Sequence, residues 1–277
     1  MARTIRKKKT ARPRRPEFED LIYEVRRNVA TITINRPKTL NSLTGATMRE
    51  LVEALDAAGR DARVGVIVLT GAGDRAFSSG GDVNWEKAGG LAKRHVEVTP
   101  RAVHEAVRHT GKPVIAAVKG YAIGMGNHLA YYCDLTIAAD NAIFGQNGPR
   151  VGSPAEGYPV ALLQRVVGTK KARELWMMCR RYSAEEALEM GLVNVVVPLA
   201  RFDAEVKKWC REILSLSPTC LKILKASFEA DIDYLRDTSP HHFQRTLAPD
   251  YHDTEEAREG PDAFLEKRPP DFNRFRV

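Results

Sequence analysis

Between residues 17 and 200 short apolar runs rich in β-branched residues alternate with amphipathic stretches of helical period. IYEVRRN and VATITINRP have the pattern of two adjacent strands, and VGVIVLTGAG, KPVIAAVKG, CDLTIAAD and VNVVVP each read as a short buried strand. GATMRELVEALDAAG, ALLQRVVGTKKARELWMMC and SAEEALEMG repeat apolar residues at helical spacing. Strands alternating with helices predict an α/β fold of βαβ units with right-handed crossovers. From about Phe202 onward the pattern is mainly helical, in FDAEVKKWCREIL, PTCLKILKASFEAD and the segment around EEAREGPDAFLEKR. The expected organisation is an α/β core over 17–200 and a helical C-terminal region over 201–277, with no internal repeat.

Charge changes this picture only at the start. The net charge is +8, but eight of the 43 Lys and Arg fall in residues 1–16, MARTIRKKKTARPRRP, and the remainder balances the 35 Asp and Glu. A basic, Pro-interrupted segment without apolar periodicity is expected to be disordered. It reads either as a solubilising tail or as a contact for an anionic surface or nucleic acid; it has neither the apolar stretch of a secretory signal nor the pattern of a transit peptide. Nothing else suggests a nucleic-acid partner, and no apolar run approaches the roughly 18 residues a membrane helix needs. Cys133, Cys179, Cys210 and Cys220 lack metal-site spacing and lie among apolar residues, so buried free thiols and a cytoplasmic setting are expected.

Two glycine-bearing stretches each follow an expected strand: LTGAGDRAFSSGGD, residues 69–82, and VKGYAIGMGNH, residues 118–128. Neither is a dinucleotide fingerprint or a phosphate loop. Ligands in open α/β sheets gather where strands end and helices begin, and two such turns can aim a pair of backbone N–H groups at one oxygen, stabilising a developing oxyanion.

FEDLIYEV, VATITINRP, VGVIVLTGAGDRAFSSGGD, KPVIAAVKGYAIGMGN, CDLTIAADNAIFGQNGPRVGS, KKARELW, EMGLVNVVVP and EGPDAFLEKRPPDF, in this order, resemble the crotonase (enoyl-CoA hydratase/isomerase) superfamily over roughly residues 18–272. Within it the chain is most similar to the 1,4-dihydroxy-2-naphthoyl-CoA synthases and the 2-ketocyclohexanecarboxyl-CoA hydrolases. The resemblance implies a ββα spiral core with a helical appendage, and a CoA thioester whose carbonyl oxygen sits between the N–H groups of Gly81 and Met125. It further implies CoA-binding loops over Arg36 to Leu40, with Lys38 and Leu40, and over Ala76 to Ser79, with Ala76, Ser78 and Ser79. A C-terminal helix carrying Phe264 and Lys267 would close over the nucleotide, often from a neighbouring subunit of a homotrimer or homohexamer. The apolar stripe Ile213, Leu214, Leu221, Leu224 and Phe228 fits such an assembly or a core. No permanently bound cofactor or metal is implied; coenzyme A enters as part of the substrate.

The acid/base residues depart from the family patterns. Where hydratases carry two glutamates this chain has His128 and Gly148; where the naphthoyl-CoA synthases carry an aspartate and a tyrosine it has Ala155 and His252. His128, Ser153, Glu156 and Tyr251 remain as candidates, and a histidine of ordinary pKa would make activity rise through about pH 6 to 7. The resemblance implies enolate chemistry that makes or hydrolytically cleaves a C–C bond in a cyclic β-keto acyl-CoA. Hydration or isomerisation of an enoyl-CoA by His128 or Glu156, and a catalytically silent CoA- or RNA-binding protein, are the alternatives. The acyl pocket is expected from residues 83–110, a stretch that none of the family-like segments covers.

Overall fold

The computed structural model describes residues 17–90, 100–153, 155, 157–232 and 250–275; the basic segment 1–16 and Glu156 lie outside them. Strands β1 (Leu21–Arg26) and β2 (Val29–Ile34) pair antiparallel across a two-residue turn, Arg27 and Asn28, both at positive φ. That turn matches the right-handed twist of its strands. From β2 the first sheet continues in parallel through β3 (Val66–Gly71), β5 (Val114–Val118), β7 (Leu135–Ala139) and β10 (Val195–Val197). β5 is buried along its whole length, because helices cover both faces of the sheet.

A second sheet is built from strands of three residues each: β4 (Ala76–Ser78), β6 (Tyr121–Ile123), β8 (Ile143–Gly145) and β9 (Arg181–Ser183), in that spatial order. β4, β6 and β8 directly follow β3, β5 and β7, so the chain repeatedly leaves the first sheet, enters the second and turns into a helical segment. This is the expected α/β fold with a ββα spiral core. After β4 come α2 (Val83–Lys87) and α3 (Pro100–His109), after β6 comes α4 (Met125–Tyr132), and after β8 a 3-10 turn (Gly148–Val151) leads to α5 (Tyr158–Val167). Helix α1 (Gly45–Arg60) joins β2 to β3, starts in a Thr44–Thr47 capping box, and buries Met48, Leu51, Leu55 and Ala58 at helical spacing.

Three features differ from the sequence expectations. The stretch ALLQRVVGTKKARELWMMC divides into α5 and α6 (Thr169–Met178) at Gly168, whose φ of +76° no helix accommodates. Cys133, Cys179 and Cys210 are buried free thiols, but Cys220 is exposed in the first turn of α9 (Pro218–Ile232). Third, residue 200 is no structural boundary. Helix α8 (Phe202–Leu214) seals the far face of the first sheet, packing Phe202 and Cys210 against Val66, Val68, Ile115 and Ile137, with Ile213 and Leu214 alongside. Helix α9 follows by tying itself to α3 and the start of β7: Lys225 donates to Asp134 at 2.7 Å and to the carbonyls of Val107 and Lys112, and Arg108 pairs with Glu229. The other side of α9 presents Ile223, Leu224 and Phe228 to solvent. Helix α10 (Glu255–Leu265) returns to the core, where Lys87 of α2 meets Asp262 at 2.6 Å and Gly260 lies flush on the backbone of Val151.

Candidate active site

The two glycine turns meet. At the end of β4 the amide of Leu43 donates to Gly80 O at 2.8 Å and Asp82 N–H donates to Leu43 O at 3.0 Å, which fixes the peptides on either side of Gly81. On the second turn Gly124 N–H donates to Gly145 O at 3.0 Å, and α4 begins at Met125. A Cβ on Gly80 would stand 2.7 Å from Ile123 O and 3.3 Å from Met125 N, and one on Gly126 would overlap the carbonyl of Ser78. Only glycine permits so close an approach of backbone to backbone. Among the described residues neither the Gly81 nor the Met125 N–H meets an acceptor. The second of them opens a helix, where the dipole also favours negative charge. Two unengaged donors on touching turns are suited to an oxygen that gains charge during reaction.

A carboxyl group lies directly on this feature. Asp82 caps α2 by accepting from Trp85 N–H, and one turn on, Glu86 folds its side chain back so that Oε1 fills the space a Cβ on Gly81 would need. Burial, then the charge of Asp82, raises the Glu86 carboxyl to about 7. Burial also works to raise Asp82, but the hydroxyl of Ser42 (2.9 Å), the Trp85 N–H and Arg36 (3.2 Å) outweigh it and hold that carboxyl below its usual range. The two acids four residues apart therefore differ in protonation near neutral pH. Sequence patterns did not single out Glu86; the only signal was its position one helical turn beyond a capping aspartate that follows the glycine turn.

His128, three residues into α4 from Met125, is buried rather than open. Its Nε2 lies 3.1 Å from Gln146 Oε1, and its ring touches Trp176, Tyr131 and His104, with centroids 5.3, 5.6 and 5.9 Å away. Burial lowers its pKa to about 4 against a smaller opposing effect of Gln146. The expected titration of His128 between pH 6 and 7 is therefore corrected: the ring is neutral there, because charging it would cost its hydration inside an aromatic cluster. Around it, Gln146 Nε2, Trp176 Nε1, both polar atoms of Asn127, Tyr132 OH and His104 Nε2 are buried and meet no hydrogen-bond partner among the described residues. Buried polar atoms are rarely left unpaired, so this group is equipped to receive polar atoms of a ligand.

The remaining candidates separate. Ser153, half-buried, closes the turn 148–153 through its N–H to Gly148 O at 2.9 Å. Tyr251 stands in the short 3-10 turn before α10, where burial and then Glu256 raise its hydroxyl. Glu156 lies outside the described residues. The two loops read as nucleotide-binding lie side by side: Ser79 N–H donates to Leu40 O at 3.0 Å, its hydroxyl to Thr39 O at 3.3 Å, and buried Asn41 donates to Ala72 O and Ala76 O. Lys38 is exposed on this ridge, and Leu40 turns it at φ +54°. The side chains of Ala76 and Ser78 are buried, Ser78 Oγ accepting from Gly80 N–H, so these two shape the loop from within and reach a ligand only through backbone. Phe264 is exposed in the last turn of α10, the helix that docks onto this chain's own α2, whereas Lys267 is exposed two residues past the helix end rather than on the helix as expected.

Among the described residues no helix is long and apolar enough to cross a membrane. The family model for enoyl-CoA hydratase/isomerase matches residues 24–274. The fold is similar to that of an enoyl-CoA hydratase from Mycobacterium avium subsp. paratuberculosis K-10, with 28% identity over 92% of this chain and 99% of that one, and a TM-score of 0.80. An enoyl-CoA hydratase/isomerase from Xanthobacter autotrophicus Py2 shares 30% identity over 94% and 100% of the two chains, with a TM-score of 0.78. A methylmalonyl-CoA decarboxylase in complex with 2-nitronate-propionyl-CoA shares 25% identity over 92% and 99%, with a TM-score of 0.83. With the matched model spanning both glycine turns, α2 and α10, the chain belongs to the enoyl-CoA hydratase/isomerase family, in the crotonase superfamily of enzymes that act on CoA thioesters.

Proposed function

We propose that this enzyme converts its acyl-CoA through an enolate whose oxygen is held by the Gly81 and Met125 N–H groups, and that the bond made or hydrolytically cleaved is a C–C bond of a cyclic β-keto acyl-CoA. The observation that carries the reading is the pair of unengaged donors on touching turns. An enolate next to a thioester concentrates its charge on the thioester oxygen, and fixed donors aimed at that oxygen lower the barrier more than they hold the ground state. The β-keto substrate class is supported by the unpaired polar atoms of Asn127, Gln146 and Trp176, which suit a second oxygen on the acyl group better than a plain alkyl chain. The ridge of Lys38, Leu40 and Ser79 would carry the nucleotide, with Phe264 and Lys267 closing over it. The exposed apolar face of α9, with Phe228 72% exposed, supports assembly into a trimer or hexamer, which light scattering tests.

A second reading is hydration or isomerisation of an enoyl-CoA. The names of the similar structures favour it, and moving a double bond needs only one carboxyl group, which Glu86 supplies. Mass spectrometry separates the two. Gain of one water by a cyclic β-keto acyl-CoA, with a 2-enoyl-CoA untouched, supports the first reading. Water addition to the enoyl-CoA alone, or its isomerisation read as a new chromatographic peak of unchanged mass, transfers the function to the second.

A further inference from the structure

We infer that Glu86 is the catalytic residue that moves the proton at the carbon next to the thioester carbonyl. The inference deepens the thioester reading above and rests on it. Four observations converge. The carboxyl covers Gly81, whose N–H is one of the two donors for the thioester oxygen, so a carbon bonded to that carbonyl must lie beside it. No hydrogen bond or cation among the described residues engages it. The charged groups around it are committed elsewhere: Asp82 on the same turn is bonded by Ser42 and Arg36 from the loop before α1, and Lys87 pairs with Asp262 of α10. Finally, the positions at which the resemblance would place acids hold none: Gly148 and Ala155 cannot carry a proton, and His128 has its Nε2 on Gln146 within an aromatic shell.

The step balances with one residue. A Glu86 carboxylate oxygen takes the proton, the C–H bond breaks as an O–H bond forms, and the electron pair moves through the new C=C bond onto the thioester oxygen between the two N–H groups. In the cleavage direction water first adds to the β-keto carbonyl carbon, and the C–C bond from that carbon to the carbon next to the thioester then breaks with its electron pair forming the same enolate. The keto carbon leaves as a carboxylic acid, and the neutral Glu86 acid returns a proton to the enolate carbon and is restored by the proton the hydrate releases. A carboxyl raised toward neutrality by burial suits both directions, since a base poised near the working pH combines availability with driving force.

The test uses the whole protein and butanoyl-CoA in D2O, with deuterium uptake read by mass spectrometry and binding read by calorimetry. Wild type is expected to exchange the proton next to the thioester, at a rate that rises through about pH 7. Glu86→Gln should bind butanoyl-CoA equally well and exchange on the order of 10²- to 10⁴-fold more slowly, with the pH dependence gone. Glu86→Asp, shorter but still acidic, should recover part of the rate, and it stands in should the amide variant fail to fold. Exchange by Glu86→Gln at the wild-type rate overturns the assignment, as does a wild type that binds butanoyl-CoA without exchanging it. A wild type that binds no CoA thioester at all overturns the thioester reading and this inference together, and silent calorimetry distinguishes that outcome.

Discussion

Glu86 on α2 and Glu259 on α10 stand on two helices joined by the Lys87–Asp262 pair, and the fold treats the two carboxyl groups in opposite ways. Glu259, 3% exposed, is met on every side: Arg268 donates to both its oxygens at 2.6 and 3.1 Å, Arg274 at 3.1 Å, and the amide of Asp271 at 2.7 Å. Those bonds fasten the chain after α10 onto the helix. Glu86 is only partly buried, has no such partners among the described residues, and has a like charge beside it. A satisfied acid fixes structure, and an unsatisfied one stores proton affinity that chemistry can use, a contrast of the kind that separates structural ion pairs from active-site groups.

The comparison breaks most readily at the oxyanion side. Met125→Pro removes one of the two N–H donors while keeping a residue suited to the first position of a helix, so turnover should fall on the order of 10²- to 10³-fold with the circular dichroism spectrum unchanged. Full activity in a folded Met125→Pro would remove the reason for placing Glu86 at a reacting carbon.

Next in size is the structural acid. Glu259→Ala strips four N–H donors, from Arg268, Arg274 and the Asp271 amide, of their acceptor and should lower the midpoint of denaturant unfolding, with thioester binding retained once α10 is folded. A shift near zero would mean that Arg268 and Arg274 find water at no penalty and that Glu259 is no fastening point.

The pH dependence of stability sharpens the contrast further. Glu86 keeps its proton in the folded state up to about pH 7, whereas an unfolded glutamate loses it near its ordinary value of 4.5. Between those limits the folded state binds more protons, so its stability falls as pH rises, by on the order of 2 kcal/mol. Glu86→Gln should remove that decline and be the more stable protein at pH 8. His128 works in the other sense: its folded pKa of about 4 lies below the ordinary 6.5, so its contribution is lost as pH drops between them. Thermal melts of wild type and Glu86→Gln from pH 4 to 8 check both slopes, and superimposable curves would contradict the raised Glu86 carboxyl. The smallest effect is expected at the joint between the two regions: Lys87→Ala breaks a partly exposed ion pair and should cost about 0–1 kcal/mol.

The sequence by itself determined those parts of the protein whose cause is local or periodic. The hairpin and the long strands β3, β5 and β7 follow from runs of apolar, β-branched residues, and α1 from its apolar spacing. The two glycine turns announced a close backbone approach because Gly80 and Gly126 sit where any Cβ would collide. The tertiary structure decided the rest. The second sheet was not legible because three residues are too few to show a period of two, and its strands exist only by pairing with one another. Whether α8 was appendage or core depended on which sheet face stood open to receive Phe202. The acid/base assignment was least legible of all. His128 looked like a neutral-pH base until Trp176, Tyr131 and His104 closed around it, and Glu86 carried no signal in the sequence until folding laid it over Gly81 beside Asp82. A side chain's proton affinity is set by the water it loses and the charges it meets, and both come from residues distant in the chain.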